Sequence, residues 1–403
     1  MSKALHFHLV NTLSQALGEI FYSGKHADRV ISKYLGANRK WGSRDRKFFA
    51  EGVYEIVRHK RKLEFIAESD DEWDLIGAHL VMKGFELPNR MDFDNVDVER
   101  VRSRAGYKKD PEVEHSFPDW LNQLGKEEFG EAEWLKLMEN LNKPAEVFLR
   151  ANALKTTPDE LIKALKAEEV DVEKVVSKDF DLPFCLKLKE RKNVFITEAF
   201  KKGSFEMQDA ASQLVAPLLQ VEPGLRVVDA CAGAGGKSLH IASMMKNKGK
   251  IIAMDIHDWK LKELRDRCSR AGVDILETKL IDSNKTVKRL ENSFDRVLLD
   301  VPCSGLGVLR RNPDTKWKLT MDEINRLQDL QKEIISKYSE MTKVGGVMVY
   351  ATCSILNREN EQQVQWFLNS DEGKKWSLIK ELRVWPHKHG FDGFYAAVLK
   401  KNS

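Results

Sequence analysis

Apolar residues recur at three- and four-residue spacing through ALHFHLVNTLSQALGEIF (4–21) and DRKFFAEGVYEIVRHKRKLEFIA (45–67), which predicts amphipathic helices. Between them GANRKWGSRDRK (36–47) is turn-like, with Gly36, Gly42 and basic residues around Trp41. Residues 68–140 read as shorter helices and loops. Pro144 marks a change: AEVFLRAN (145–152) predicts a strand, TPDELIKALKAE (157–168) a helix, and VEKVV, FCLKLK and VFI short strands, together a small α+β module. From about residue 205, β-rich apolar runs alternate with helical patterns. The strands are LRVVDA, KIIAMDI, ILETKL, FDRVLLDVP, GGVMVYATC and FYAAVLKK; the helices are expected over 237–245, 259–270, 322–341 and 358–368. That alternation predicts βαβ units and a parallel sheet covered on both faces. The chain therefore divides into an all-α region (1–140), an α+β module (141–204) and an α/β domain (205–403).

Composition narrows the classes. In 403 residues, 42% are hydrophobic and 32% charged, enough for real cores. No run of about 18 apolar residues exists, so no membrane partner is expected. MSKALHFHLVNTL has too short an apolar stretch for a secretory signal, and five cysteines without framework spacing point to a reducing, cytoplasmic compartment. There is no C-x-x-C pair and no metal is expected. Nothing demands more than a monomer. Net charge is +4, but residues 25–62 hold 12 Lys/Arg against 4 Asp/Glu, whereas residues 68–99 are acidic. A concentrated basic face, with Arg39, Lys40 and Arg44 in its turn, suits a polyanion; a solvated helix face is the competing reading.

VVDACAGAGGKS places a glycine-rich turn between a strand and a helix, allowing close backbone approach to a ligand. A phosphate-binding P-loop needs glycine where Cys231 stands, and a dinucleotide fingerprint needs glycine or alanine where Ser238 stands. S-adenosylmethionine, which carries no phosphate, tolerates a turn that fits neither. Asp229, Asp255 and Asp282 end or follow three successive strands, where acids can meet ribose hydroxyls and an adenine edge. Helix capping explains each aspartate singly but not the series.

Cys303 and Cys353 each follow a strand, in DVPCSG and YATCS. Carbon 5 of a pyrimidine is a poor nucleophile until a thiolate adds to carbon 6, and a base must later remove the carbon 5 proton. Cysteine suits the first role. Asp300 is placed to hold the pyrimidine edge at N3. Cys185, Cys231 and Cys268 read instead as small apolar residues.

DVPCSGLGVLRRNPDTKW and YATCSILNRENEQQV, following DACAGAGGK, resemble the signature motifs of the Sun (Nol/Nop/Sun, or Fmu) family of RNA cytosine-C5 methyltransferases over roughly residues 145–400. The resemblance implies a Rossmann-like class I S-adenosylmethionine-dependent methyltransferase sheet, preceded by an RRM-like module and a NusB-like helical domain. It implies Cys353 as nucleophile and Cys303 as the thiol assisting product release. It further implies cofactor contacts from Cys231, Ala232, Gly233, Ala234, Gly235, Gly236 and Lys237, with Asp255, Asp282 and Asp300. The family's turn is usually C-A-A-P-G-G-K, so this chain lacks a proline at Ala234 and the locked φ it supplies. The RRM-like module has no RNP1-type aromatic motif, so base stacking on its sheet is not expected.

The resemblance also implies RNA as partner, with small-subunit ribosomal RNA ahead of transfer RNA. Arg310, Arg311, Lys316 and Lys318 around Trp317 suit phosphates and a stacked base; a buried structural tryptophan competes for Trp317. The target cytosine must leave its stack to meet a thiol. A non-catalytic RNA-binding assembly factor and a DNA methyltransferase are the alternatives. The paired thiols disfavour the first, and the lack of a long target-recognition insertion disfavours the second.

Overall fold

A computed structural model describes residues 7–403. Of the helix expected from Ala4, the part from Phe7 to Phe21 is observed, and residues 4–6 lie outside the described residues. The chain forms two compact units: Met1–Pro144 with Leu309–Thr320, and Ala145–Val308 with Met321–Ser403.

Helices Phe7–Phe21, Ala27–Ala37, Ser43–Arg58, Lys60–Ala67 and Glu72–Met82 turn their apolar stripes inward in the first unit. Leu13, Leu17, Phe49, Val53 and Ile56 are fully buried there, each contributing about 1.5–3 kcal/mol by leaving water. Trp317, from the returning segment, packs against this same core.

The second unit holds two sheets. The smaller has strands β1 (Phe148–Ala151), β2 (Val172–Lys174), β3 (Cys185–Leu188) and β4 (Phe205–Met207), in order β2-β3-β1-β4. This is the ferredoxin-like arrangement to which an RRM belongs. Two expectations are corrected. VFI is a turn of 3-10 helix over Val194–Ile196, because Asn193 Oδ1 caps the Phe195 amide. The fourth strand comes from beyond the boundary set at 205.

The larger sheet contains β5 (Arg226–Asp229), β6 (Lys250–Asp255), β7 (Leu276–Leu280), β8 (Phe294–Asp300), β9 (Thr342–Thr352), β10 (Trp376–Val384) and β11 (Phe394–Lys401). Its order is β10-β11-β9-β8-β5-β6-β7. The five strands from β5 to β9 run parallel, with helices Gly236–Met244, Asp258–Ala271 and Met321–Ser339 between them. The sheet is mixed rather than wholly parallel, because β11 returns antiparallel to β9 and β10 pairs only with β11. This is the Rossmann-like sheet that the motifs implied.

Candidate active site

β8, β5 and β6 are neighbours, and each ends on an aspartate: Asp300, Asp229 and Asp255. Strand order reverses at β5, which opens a crevice at these carboxyl ends. β9 lies beside β8 with Asp300 opposite Ala351, so Cys353 and Cys303 leave neighbouring strands at the same edge.

The two sulfurs are 3.4 Å apart. Backbone contact between their loops fixes that distance. Gly307 N–H donates to the Cys353 carbonyl at 2.9 Å, and a Cβ at Gly307 would stand 2.6 Å from that oxygen, so only glycine fits. A buried carboxylate ties the same loops from beneath. Glu359 Oε1 accepts from Ser304 N at 2.8 Å and Gln331 Nε2 at 3.0 Å; its Oε2 accepts from Ser304 Oγ and Ser354 Oγ, each at 2.5 Å. Ser304 and Ser354 directly follow the two thiols. The hydrogen bond to Cys353 pushes the Cys303 thiol well above its ordinary range, with burial and the charges of Cys353 and Glu359 adding to the effect. Cys303 is therefore the thiol of the pair that keeps its proton when the other ionises.

On the other side of the pair, Lys237 Nζ donates to Asp300 Oδ2 at 2.6 Å and lies 4.9 Å from the centre of the Phe394 ring. Burial alone would lower the Lys237 pKa, but Asp300, Cys353 and Asp229 outweigh it and raise it.

The glycine-rich turn runs from Cys231 to Lys237. Gly235 takes φ +82°, and a Cβ there would sit 1.9 Å from Leu264 Cδ1, so the turn can approach helix Asp258–Ala271 only as glycine. Asp255 Oδ2 accepts from Gly233 N and its Oδ1 from His257 N, both at 2.9 Å. Part of its role is therefore to pin the turn and the backbone that leads into the next helix. Asp282 is exposed, and hydrogen bonds from Thr286 and Ser283 lower its pKa. Burial raises Asp229 to about 7, with Ser238 opposing and Asp300 reinforcing. Its Oδ2 accepts from Ser238 Oγ at 2.6 Å, while Oδ1 is buried without a partner.

S-adenosylmethionine fits this set. It carries a sulfonium, an ammonium and a ribose diol, and the strand ends offer Asp229 Oδ1, Asp255 and Asp300. A Cβ on Gly233 would meet open space, and helix Gly236–Met244 begins without a side-chain cap, leaving its first amides for a ligand. Among the described residues no group of three His, Cys, Asp or Glu could hold a metal, and no helix is long and apolar enough to cross a membrane.

The basic segment after the P-C-S motif needs correction. Lys316 is buried: its Nζ donates to the Arg58 carbonyl and to Asn142 Oδ1, both at 2.9 Å, and burial pushes its pKa well down. Arg310 is buried and donates to the Pro144 carbonyl; Trp317 Nε1 donates to the Val57 carbonyl at 2.7 Å. The structural reading of Trp317 is the one realised. Lys318 is held by Asp314 and the Lys25 carbonyl, and Arg311 is half-buried. Arg310, Lys316 and Trp317 serve the first unit's packing, so they do not belong to the phosphate-facing strip expected of them, whereas Arg311 and Lys318 are half-buried. Arg39, Lys40 and Arg44 are exposed and, among the described residues, form no ion pair.

The sequence reading missed Glu359, Ser304, Ser354 and Gln331. The serines and the glutamate stand inside the two quoted motifs, and only their convergence was hidden.

Residues 216–400 match the family model for 16S rRNA methyltransferase RsmB/F, and residues 117–194 match the ferredoxin-like domain of RsmF/B-like methyltransferases. The chain is 34% identical over 305 residues to a probable ribosomal RNA small subunit methyltransferase B of Bacillus subtilis, covering 72% of this chain and 67% of that protein. It is 36% identical over 307 residues to the Synechocystis protein of the same description, with the same coverage. The crystal structure of PH0851 superposes with a TM-score of 0.82 at 27% identity over 100% of both chains. That of a methyltransferase homolog from Pyrococcus horikoshii gives 0.63 at 28% identity, covering 72% of this chain and 97% of the other. The chain belongs to the RsmB/F family and is an S-adenosylmethionine-dependent RNA cytosine-C5 methyltransferase.

Proposed function

We propose that this enzyme methylates carbon 5 of a cytosine in small-subunit ribosomal RNA, with Cys353 as nucleophile and Cys303 as the release thiol. The sulfur contact of 3.4 Å at the ends of β8 and β9 carries the reading. As thiolate, Cys353 Sγ bonds to carbon 6, and the ring's electrons move toward carbon 5 and N3. Asp300, backed by the Lys237 ammonium, is the hydrogen-bond partner at N3. The bound cofactor supplies an electrophilic methyl group, which carbon 5 takes. With Cys353 bonded to carbon 6, the hydrogen bond and the charge that held the Cys303 proton are gone; Cys303 releases that proton to solvent and, as thiolate, takes the carbon 5 proton. The carbon 5–carbon 6 double bond re-forms, and Cys353 leaves as thiolate. Cys231–Lys237, Asp255 and Asp282 would hold the cofactor.

The ribosomal substrate rests on the relatives' activity as their names state it. The helical region would bind RNA through Arg39, Lys40 and Arg44, the small module would support the site, and residues from about 205 would perform the chemistry. We place the enzyme in the cytoplasm as a monomer.

A denaturing gel tests the assignment, using wild type, Cys303→Ala and Cys353→Ala with S-adenosylmethionine and unmodified small-subunit RNA. A protein–RNA adduct with Cys303→Ala alone, and no turnover with Cys353→Ala, is the expected result. An adduct with Cys353→Ala instead reverses the roles. Methyl transfer to transfer RNA but not ribosomal RNA overturns the substrate.

A further inference from the structure

The family's usual turn is stiffened by a proline, which this chain lacks at Ala234. Two carbonyls of the turn are instead gripped by arginines from outside it. Arg267 Nη1 donates to the Ala234 carbonyl at 2.8 Å, and Arg150 Nη1 donates to the Gly236 carbonyl at 2.8 Å. Arg267 is anchored at Glu206, and Arg150 also donates to Gln208 Oε1. Arg267 turns Nε and Nη2 to Glu206 Oε2 at 3.2 and 2.8 Å, Arg270 Nη2 takes Oε1 at 2.6 Å, and Arg150 is the cross-strand partner of Glu206 between β1 and β4. Glu206 and Arg150 are each only 3% exposed. Burial lowers Arg150 to about 9, partly opposed by Glu206, so it remains a cation at neutral pH.

We propose that Arg267, braced by Glu206, is a positioning residue for the cofactor turn, supplying by hydrogen bonding the rigidity that proline supplies at position 234. Arginine is required because one guanidinium must serve a carboxylate along one edge and a carbonyl with its remaining N–H. The lysine ammonium has no such fork. Arg267 also lies three residues from Leu264, which closes on Gly235, so one face of helix Asp258–Ala271 fixes two consecutive turn residues. The small sheet thereby gains a function other than base stacking: its β1–β4 pair buttresses the cofactor site. The Ala234 amide donates no hydrogen bond among the described residues, so proline there would remove none.

The inference rests on residues 231–237 being the cofactor turn, and the test separates the two. Binding of S-adenosylhomocysteine is measured by titration calorimetry for the full-length wild type, Gly235→Ala, Arg267→Met, Arg267→Lys and the double variant Ala234→Pro/Arg267→Met, with thermal melts to confirm folding. Gly235→Ala should abolish binding. Arg267→Met and Arg267→Lys should each weaken it about tenfold, the loss of one charge-assisted hydrogen bond. The single-turnover rate at saturating cofactor should stay within roughly twofold of wild type, as expected when only binding is lost. Ala234→Pro should recover most of the lost affinity. Should Gly235→Ala bind normally, both the turn and its brace are wrong. Wild-type affinity in Arg267→Met, or failure of proline to rescue a folded double variant, overturns the brace alone. If Arg267→Met does not fold, the lysine variant, which keeps the stem and charge, decides by the same criteria.

Discussion

Ser304 and Ser354, each one residue beyond a site thiol, bring their hydroxyls within 3.2 Å of each other and onto the same oxygen of Glu359. The thiols are therefore spaced by a buried carboxylate that itself touches neither sulfur. Removing it in Glu359→Ala strands the Ser304 amide without its acceptor and leaves Gln331 Nε2 only the Pro302 carbonyl. The expected cost is about 3 kcal/mol of stability by urea unfolding. The single-turnover rate should fall at least tenfold while S-adenosylhomocysteine affinity stays within about twofold. Unchanged turnover in the folded variant would show that the spacing does not need this clamp.

Thiol labelling reads the polarity of the pair. With Cys303 raised chiefly by its hydrogen bond to Cys353, iodoacetamide at neutral pH should modify Cys353 first. In Cys353→Ala that bond and charge are gone, so Cys303 should alkylate faster than it does in wild type. Mass spectrometry of the two peptides checks both statements, and slower labelling of Cys303 in the variant would contradict the cause given for its shift.

Asp229 gives a pH dependence. Its folded pKa of about 7 lies above the ordinary 3.8, so the folded protein holds a proton that the unfolded chain releases. Its contribution to stability is fully present below pH 4 and is lost as pH rises to about 7. Cofactor affinity moves the opposite way, because the ammonium that S-adenosylmethionine and S-adenosylhomocysteine share gains when Asp229 ionises. S-adenosylhomocysteine should bind more tightly at pH 8 than at pH 6. Asp229→Asn should flatten that profile and make the ligand-free protein more stable than wild type at pH 8.

Two sets of basic residues should behave differently toward RNA. Replacing Arg39, Lys40 and Arg44 by glutamine should weaken binding at low salt. The slope of log affinity against log salt should fall by about 2, at roughly 0.7 per phosphate contact on a single strand. Lys316→Met should leave the slope unchanged and destabilise the protein by about 2 kcal/mol, because the Arg58 carbonyl and Asn142 Oδ1 lose their donor. A salt slope altered by Lys316→Met would restore it as a phosphate contact.

The strands β5 to β9 were legible because parallel strands buried on both faces are written as continuous apolar runs. β10 was not: Leu378 and Ile379 are exposed, Lys380, Glu381 and Arg383 interrupt the run, and an edge strand with one partner needs no stronger pattern. The thiols and the turn could be placed from sequence because their chemistry lies within single motifs. Lys316 could not, since a lysine's burial depends on acceptors 174 and 258 residues away, and nothing local distinguishes it from Lys318. Glu206 and Arg267 were hidden for the same reason, being ordinary surface-type residues until the small sheet folds against the larger one.

The segment Leu309–Thr320 belongs to the first unit although its codons lie deep in the second unit's message. When Pro144 emerges from the ribosome, the helical unit still lacks the indole that meets the Val57 carbonyl and the ammonium that meets Arg58. It must wait through synthesis of the small sheet and four strands of the larger one before its interior can close. A nascent chain interrupted before Lys316 therefore carries a helical unit with an open slot and two unsatisfied carbonyls, a natural substrate for quality control. Translation itself thus couples completion of the first unit to production of the P-C-S motif, since the unit cannot close until Cys303 has already been made.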